Sequence, residues 1–278
     1  MKRVLLIGNY GRGTLRSYPA ELKLLFHFYY QLNVDDIVQE QIMDYILFIK
    51  REHEVGRTKC RLVAHSCAFF FQHVIRKEFV LPSALYPRKE FRLPLVMTEE
   101  QVRLLFACCK DVRQRAVLSL MYGSGMRTAE VVNLKMGDIE RANRQILVRQ
   151  GKGHKDRYVL LPQFALRALE AYYLLHRPQC YMFENPRTPG RPLYQRTMQS
   201  IVTSAMVNAG FGSAGYTAHT LRHSYATHAL NMGHDLHSIK TLLGHSKLET
   251  TMIYLHLQQG KRSKLVSPID HLLGCRWE

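Results

Sequence analysis

Apolar residues in the first third of the chain recur at helical spacing, and no run before residue 85 alternates as a half-buried strand would. Over residues 38–49, Ile42, Tyr45, Ile46 and Ile49 stand at i, i+3, i+4 and i+7, one face of an amphipathic helix. Residues 18–32 are denser in apolar side chains (Leu22, Leu24, Leu25, Phe26, Phe28, Tyr29) and predict a buried helix. Residues 59–79, with Leu62, Phe69, Phe70, Val74 and Ile75, predict a third. Together these make a small all-helical domain over residues 1–85. Pro82, Pro87 and Pro94 then keep the chain extended among Arg88, Lys89 and Arg92, so residues 86–96 read as a linker. Thr98, with Gln101 three positions on, matches a capping box and opens a second domain over 97–278.

That second domain is mostly helical with one hairpin. Two β-prone runs, 145–149 and 157–161, flank a turn that begins at Gly151 and ends at Asp156. Helices are expected at 163–177, 194–209, 218–232, 236–243 and 248–257, and Ser267, Pro268 and Gly274 bound a last short one. The fold class is therefore mainly α with a small β-hairpin or sheet (α+β).

Charge changes this picture. The 278 residues carry 39 Lys+Arg against 22 Asp+Glu, a formal charge of +17. Before residue 97 there are 15 basic and 9 acidic residues, and after it 24 and 13, so both domains are positive. A folded chain that is basic throughout suits a polyanionic partner, and nucleic acid leads over an anionic membrane surface. The first apolar run, Val4 to Ile7, is too short for a signal peptide or a membrane span. The six cysteines show neither C-x-x-C pairs nor framework spacing and read as reduced thiols of a cytoplasmic protein.

Three constellations compete for the chemistry. Val4-Leu5-Leu6-Ile7 followed by Gly8, Gly11 and Gly13 resembles a strand entering a glycine loop, but the glycine order is wrong for a dinucleotide and no second parallel strand follows. A flexible N-terminal arm fits those residues better. His219 and His223 stand at i, i+4, with His234 and His237 nearby, yet Thr220 occupies the place of a metalloprotease glutamate, so no metal is expected. The third explains more residues. Gly123 to Glu130 is a glycine turn opening a helix, where Arg127 could grip a phosphate and Glu130 hold its guanidinium. His219 and Arg222 share a helix face, Lys152 tips the hairpin, and His245 closes a later helix. Cations and histidines without a carboxylate cluster suit metal-free attack on a phosphodiester. Spacing alone does not choose a nucleophile among the 15 tyrosines.

The runs LSLMYGSGMRTAEVVNLKMGDI (ending at Ile139), GKGHKDRYVLLP (from Gly151), HTLRHSYATHALNMG (from His219) and LLGHSKLETTMIYLH (from Leu242) resemble the tyrosine recombinase, or phage integrase, family of the Xer type. The resemblance covers residues 97–260 and supplies the family's ordered set as Arg127, Lys152, His219, Arg222, His245 and Tyr254. It implies a SAM-like core-binding domain ahead of the catalytic one and Tyr254 as the nucleophile of a site-specific DNA recombinase. His219 would be its base, Lys152 the acid for the leaving 5′-oxygen, and His245 a phosphate contact, with no cofactor. It also implies double-stranded DNA as partner, a homo-tetramer on DNA, and a C-terminal exchange tail from about residue 258, where Ile269, Leu272, Leu273 and Trp277 make an apolar stripe. Arg57, Lys59 and Arg61, with Lys155 and Arg157 on the hairpin, are the expected phosphate contacts. A mobile-element integrase is the leading reading; a type IB topoisomerase-like enzyme and a non-catalytic DNA-binding protein are the alternatives.

Overall fold

A computed structural model of the chain describes residues 1–79, 93–149, 156–245 and 247–255. The chain divides into two compact units, Met1–Phe91 and Arg92–Glu278.

The first unit is helical. Helices α1 (Lys2–Ile7), α2 (Arg12–Phe28), α3 (Gln39–Glu52) and α4 (Arg57–Phe70) follow one another, and α4 runs on into a π turn, Phe71–Ile75. Helices α3 and α4 each bury an apolar stripe. In α3 it is Ile42, Tyr45, Ile46 and Ile49, and in α4 it is Cys60, Val63, Ala64 and Cys67, the same i, i+3, i+4, i+7 spacing. The N-terminus, expected as a flexible arm, is a helix instead. Leu5 is wholly buried, and Gly8 ends α1 with its N–H on the Val4 carbonyl at 3.0 Å. Four consecutive apolar residues fit a buried helical turn as well as a strand, and periodicity cannot separate them.

The second unit opens with the expected capping box: Thr98 Oγ1 accepts from the Gln101 N–H at 3.2 Å, and Gln101 Oε1 accepts from the Thr98 N–H at 2.8 Å. Helices α5 (Glu99–Cys108), α6 (Val112–Gly123) and α7 (Thr128–Val132) lead to a three-stranded antiparallel sheet of β1 (Ile139–Glu140), β2 (Gln145–Val148) and β3 (Arg157–Leu160) in that order. Helix α8 (Gln163–His176), a small hairpin of β4 (Glu184–Asn185) and β5 (Thr188–Pro192), and helices α9 (Gln195–Asn208), α10 (Ala218–Asn231), α11 (Leu236–Leu243) and α12 (Glu249–Met252) complete the described part. Helix α12 is shorter than the helix expected over 248–257. The tail from residue 258 lies outside the described residues, as do Lys152 and Lys155.

Helix α6 is the pivot. Its residues Ala116 to Met121 are all buried, so it has no polar face and leaves no amphipathic signature. Against it packs α10, itself buried nearly all round and in contact with α11 as well. No helix among the described residues is long and apolar enough to cross a membrane.

Candidate active site

Arg127 occupies the N-cap position of α7. The carboxylate of Glu130, one turn on, accepts from its backbone N–H and from its guanidinium, both at 2.8 Å. Arg127 also donates to the Gly244 carbonyl at 3.3 Å. The turn before it depends on Gly125, whose φ is +62°: a Cβ there would lie 2.6 Å from the Tyr225 ring. That close approach lets α10 reach the turn, and Arg222 donates to both the Gly125 and the Leu243 carbonyls at 2.5 Å. One guanidinium thus ties α10 to the turn ahead of α7 and to the end of α11.

Arg157 departs from the expectation of a phosphate contact. It binds both Glu130 oxygens, at 2.9 and 2.8 Å, and its Nε donates to the Leu242 carbonyl at 2.8 Å. Its side chain is 9% exposed and lies flat on Gly244, where a Cβ would come within 2.9 Å of it. Its planar fork is thus taken up by the carboxylate of Glu130. Burial alone would raise the Glu130 carboxyl, but the hydrogen bonds and charge of Arg157, then those of Arg127, hold it below the usual carboxylate range. In the first unit, Lys59 pairs with Glu21 at 2.6 Å, and Arg57, Lys59 and Arg61 all stand on α4.

Tyr254 is 1% exposed, and its hydroxyl lies 2.9 Å from Nδ1 of His223. Burial raises its pKa, while Arg222 and Arg127 pull it down, so the phenol shares the electrostatic pocket of both guanidinium groups. The His245 ring lies nearly parallel to the Tyr254 ring at 6.4 Å, and its Nδ1 pairs with Thr251 Oγ1 at 2.8 Å. Burial, then Arg222 and Arg127, pushes His245 down to about 3. Burial, then His219 and Arg222, takes His223 to about 4. His219 is lowered by burial and by the two arginines. All three imidazoles are therefore neutral at neutral pH. Arg222 is drawn down to about 9 by burial and then by Arg127, and it stays charged there.

Arg127, Glu130, His219, Arg222, His245 and Tyr254 thus lie within electrostatic reach of one another. Sequence reasoning passed over His223 except as half of a possible metal pair. Its one signal was the shared face with His219, and nothing in the spacing shows that Tyr254 returns to that face. Among the described residues no three His, Cys, Asp or Glu side chains are grouped to hold a metal ion.

The chain is similar to proteins already known. The model of the phage integrase family matches residues 95–261. Tyrosine recombinase XerC of Bacillus pumilus is 31% identical, over 92% of this chain and 90% of its own length. A tyrosine recombinase of Thermosipho africanus is 26% identical over 95% of each. Among solved structures, XerA recombinase is 25% identical with a TM-score of 0.57, covering 99% of this chain and 97% of its own. XerH site-specific recombinase, in a post-cleavage complex with a palindromic difH substrate, shares the fold with a TM-score of 0.75 at 22% identity, over 92% of this chain and 80% of its own. With more than half its length matched by the family model, this chain belongs to the phage integrase family and is a tyrosine-type site-specific recombinase.

Proposed function

We propose that the chain cuts and rejoins double-stranded DNA through a covalent 3′-phosphotyrosyl link on Tyr254, without metal or ATP, in the service of a mobile element. The observation that carries this reading is the Arg127–Arg222 pair beside a buried phenol, built from chain segments far apart in sequence. A phosphodiester repels nucleophiles by its charge. Two guanidinium groups on its non-bridging oxygens would neutralise that charge and stabilise what builds up at phosphorus. Tyrosine's ordinary pKa of about 10 leaves almost no phenolate at neutral pH, so a base must take the proton. The resemblance gives that role to His219. It gives Lys152, outside the described residues, the proton for the leaving 5′-oxygen, and His245 a hydrogen bond to the phosphate. The covalent link conserves the broken bond, so a 5′-hydroxyl from a second duplex can reseal it.

Domain roles follow the same reading. The helical unit grips DNA, with Arg57 and Arg61 on phosphates, and the second unit carries the chemistry. A homo-tetramer pairs two duplexes. Binding of DNA by more than one copy is supported by the fold shared with a lambda integrase dimer bound to a COC′ core site, at a TM-score of 0.68 and 16% identity. The mobile-element role is supported by the match to the phage integrase family.

The test uses two differently labelled duplexes spanning the DNA that flanks the gene, in EDTA. Exchange of strands between them, abolished in Tyr254→Phe while binding persists, is the expected result. Relaxation without exchange would favour the topoisomerase-like alternative. Binding with no covalent product would favour an idle DNA-binding protein.

A further inference from the structure

His223 follows Arg222 on α10 and lies one turn from His219, so the two imidazoles share a face, with ring centroids 6.5 Å apart. Of the site's histidines it is His223 whose ring nitrogen, Nδ1, meets the Tyr254 hydroxyl, at 2.9 Å. The Nδ1 of His245 is engaged by Thr251 Oγ1. A neutral imidazole has one accepting nitrogen, and a phenol at neutral pH carries a proton to donate. We infer that His223, rather than His219, is the catalytic base that takes the phenol proton of Tyr254 during strand cleavage.

The inference rests on Tyr254 being the nucleophile. As the Tyr254 oxygen–phosphorus bond forms, the bond from phosphorus to the 5′-oxygen breaks. The phenol proton passes to His223 Nδ1, and the leaving oxygen takes a proton from the Lys152 ammonium. Rejoining reverses each transfer, so protons and charge balance over the cycle. Substrate itself assists. His223 is held neutral by burial and by the positive field of His219 and Arg222. A phosphate anion seated on Arg127 and Arg222 offsets that field and raises the proton affinity of the imidazole when the reaction needs it. His219, beside the same two arginines, is left to contact the phosphate.

The first test needs no DNA. Nitrogen NMR of the full chain should find His223 protonated on Nε2 and bare on Nδ1, with the Nδ1 resonance moving in Tyr254→Phe. A proton on Nδ1 overturns the assignment, because that nitrogen could not then accept one. The second test uses nicked duplexes tiled across the DNA flanking the gene. His223→Asn keeps a polar group near Nδ1 but has no proton affinity. It should slow covalent-complex formation by about 100-fold or more with duplex binding unchanged, the usual scale of a lost general base. Free imidazole should restore part of the rate to His223→Gly, and His219→Asn should lose less than His223→Asn. Cleavage by His223→Asn within a few-fold of the parent, with Tyr254 still required, overturns the base assignment alone. A Tyr254→Phe chain that still forms the complex, or a parent chain that never does, overturns the nucleophile reading and this one with it.

Discussion

The two units treat charge in opposite ways. Helices α3 and α4 of the first bury an apolar stripe each, and its buried carboxylate, Glu21, meets an ammonium, Lys59, that is 37% exposed. The second buries α6 and α10 almost entirely and encloses Arg222, Arg157 and Glu130 with them, at 4, 9 and 6% side-chain exposure. Taking ions out of water costs several kcal/mol each unless they are well paired, so such a cluster is a poor way to gain stability. It is a good way to hold two guanidinium groups in place before a phosphate arrives, with no reorganisation at the moment of reaction. Both units pack an apolar core, and the second adds a cation cluster held ready beside its own.

Breaking the cluster should have the largest effect. Arg157→Ala leaves Glu130 with half its partners and should destabilise the second unit by about 3–5 kcal/mol, the scale for one partner removed from a buried pair. Its cleavage should fall with it, while the first unit melts unchanged. Denaturant unfolding followed by hydrogen exchange in each unit checks this. Arg157→Lys, which lacks the planar fork, should recover only part of the loss. If Arg157→Ala weakens DNA binding but keeps stability and cleavage per bound complex, Arg157 is a phosphate contact after all.

Next comes the close approach at the turn. Gly125→Ala, with φ at +62° and its Cβ driven into Tyr225, should cost about 1–3 kcal/mol and displace Arg222. Gly56→Ser, at the open N-cap of α4 in the first unit, should change stability by less than about 1 kcal/mol. Equal effects in thermal melts would mean that the turn is not held as tightly as its geometry implies.

Acid should separate the units further. In the second unit His176, His219, His223, His228 and His245 all have lowered pKa values, whereas in the first the lowered histidine is His65. A histidine held neutral in the folded chain takes a proton on unfolding. Its unit is therefore at full stability above about pH 6.5 and loses stability as pH falls toward the folded values. The second unit should weaken more steeply between pH 6.5 and 4, and His223→Asn with His245→Asn should flatten that slope. Parallel slopes in the two units would contradict this.

The smallest effect belongs to the proposed grip of the first unit. Arg61→Ala should lower DNA affinity and reduce the salt dependence of binding by about one counterion, leaving cleavage of bound DNA untouched. An unchanged salt slope would remove Arg61 from the interface.

Legibility followed the same division. The stripe of α3 and the capping box at Thr98 were plain in the sequence because each is a local pattern at fixed spacing. Helix α6 was not, since a helix buried on every side has no period to read. The β4–β5 hairpin was missed because its second strand is Thr188-Pro189-Gly190-Arg191-Pro192, a run that signals a turn. Within the site, Arg127 and Glu130 were readable as neighbours one turn apart. The partnership of Arg157 with Glu130, and of His223 with Tyr254, joins residues 27 and 31 positions apart and exists only in the packed chain. A basic residue on a hairpin looks like a DNA contact until its partner is known.

The central claim is that the phenol beside those guanidinium groups becomes the DNA linkage. Trapping the chain on a nicked duplex, digesting it and sequencing the nucleotide-bearing peptide by mass spectrometry tests it directly. The account predicts the adduct on Tyr254 with a 3′-phosphate between tyrosine and DNA; an adduct on any other residue, or a 5′ linkage, would contradict it.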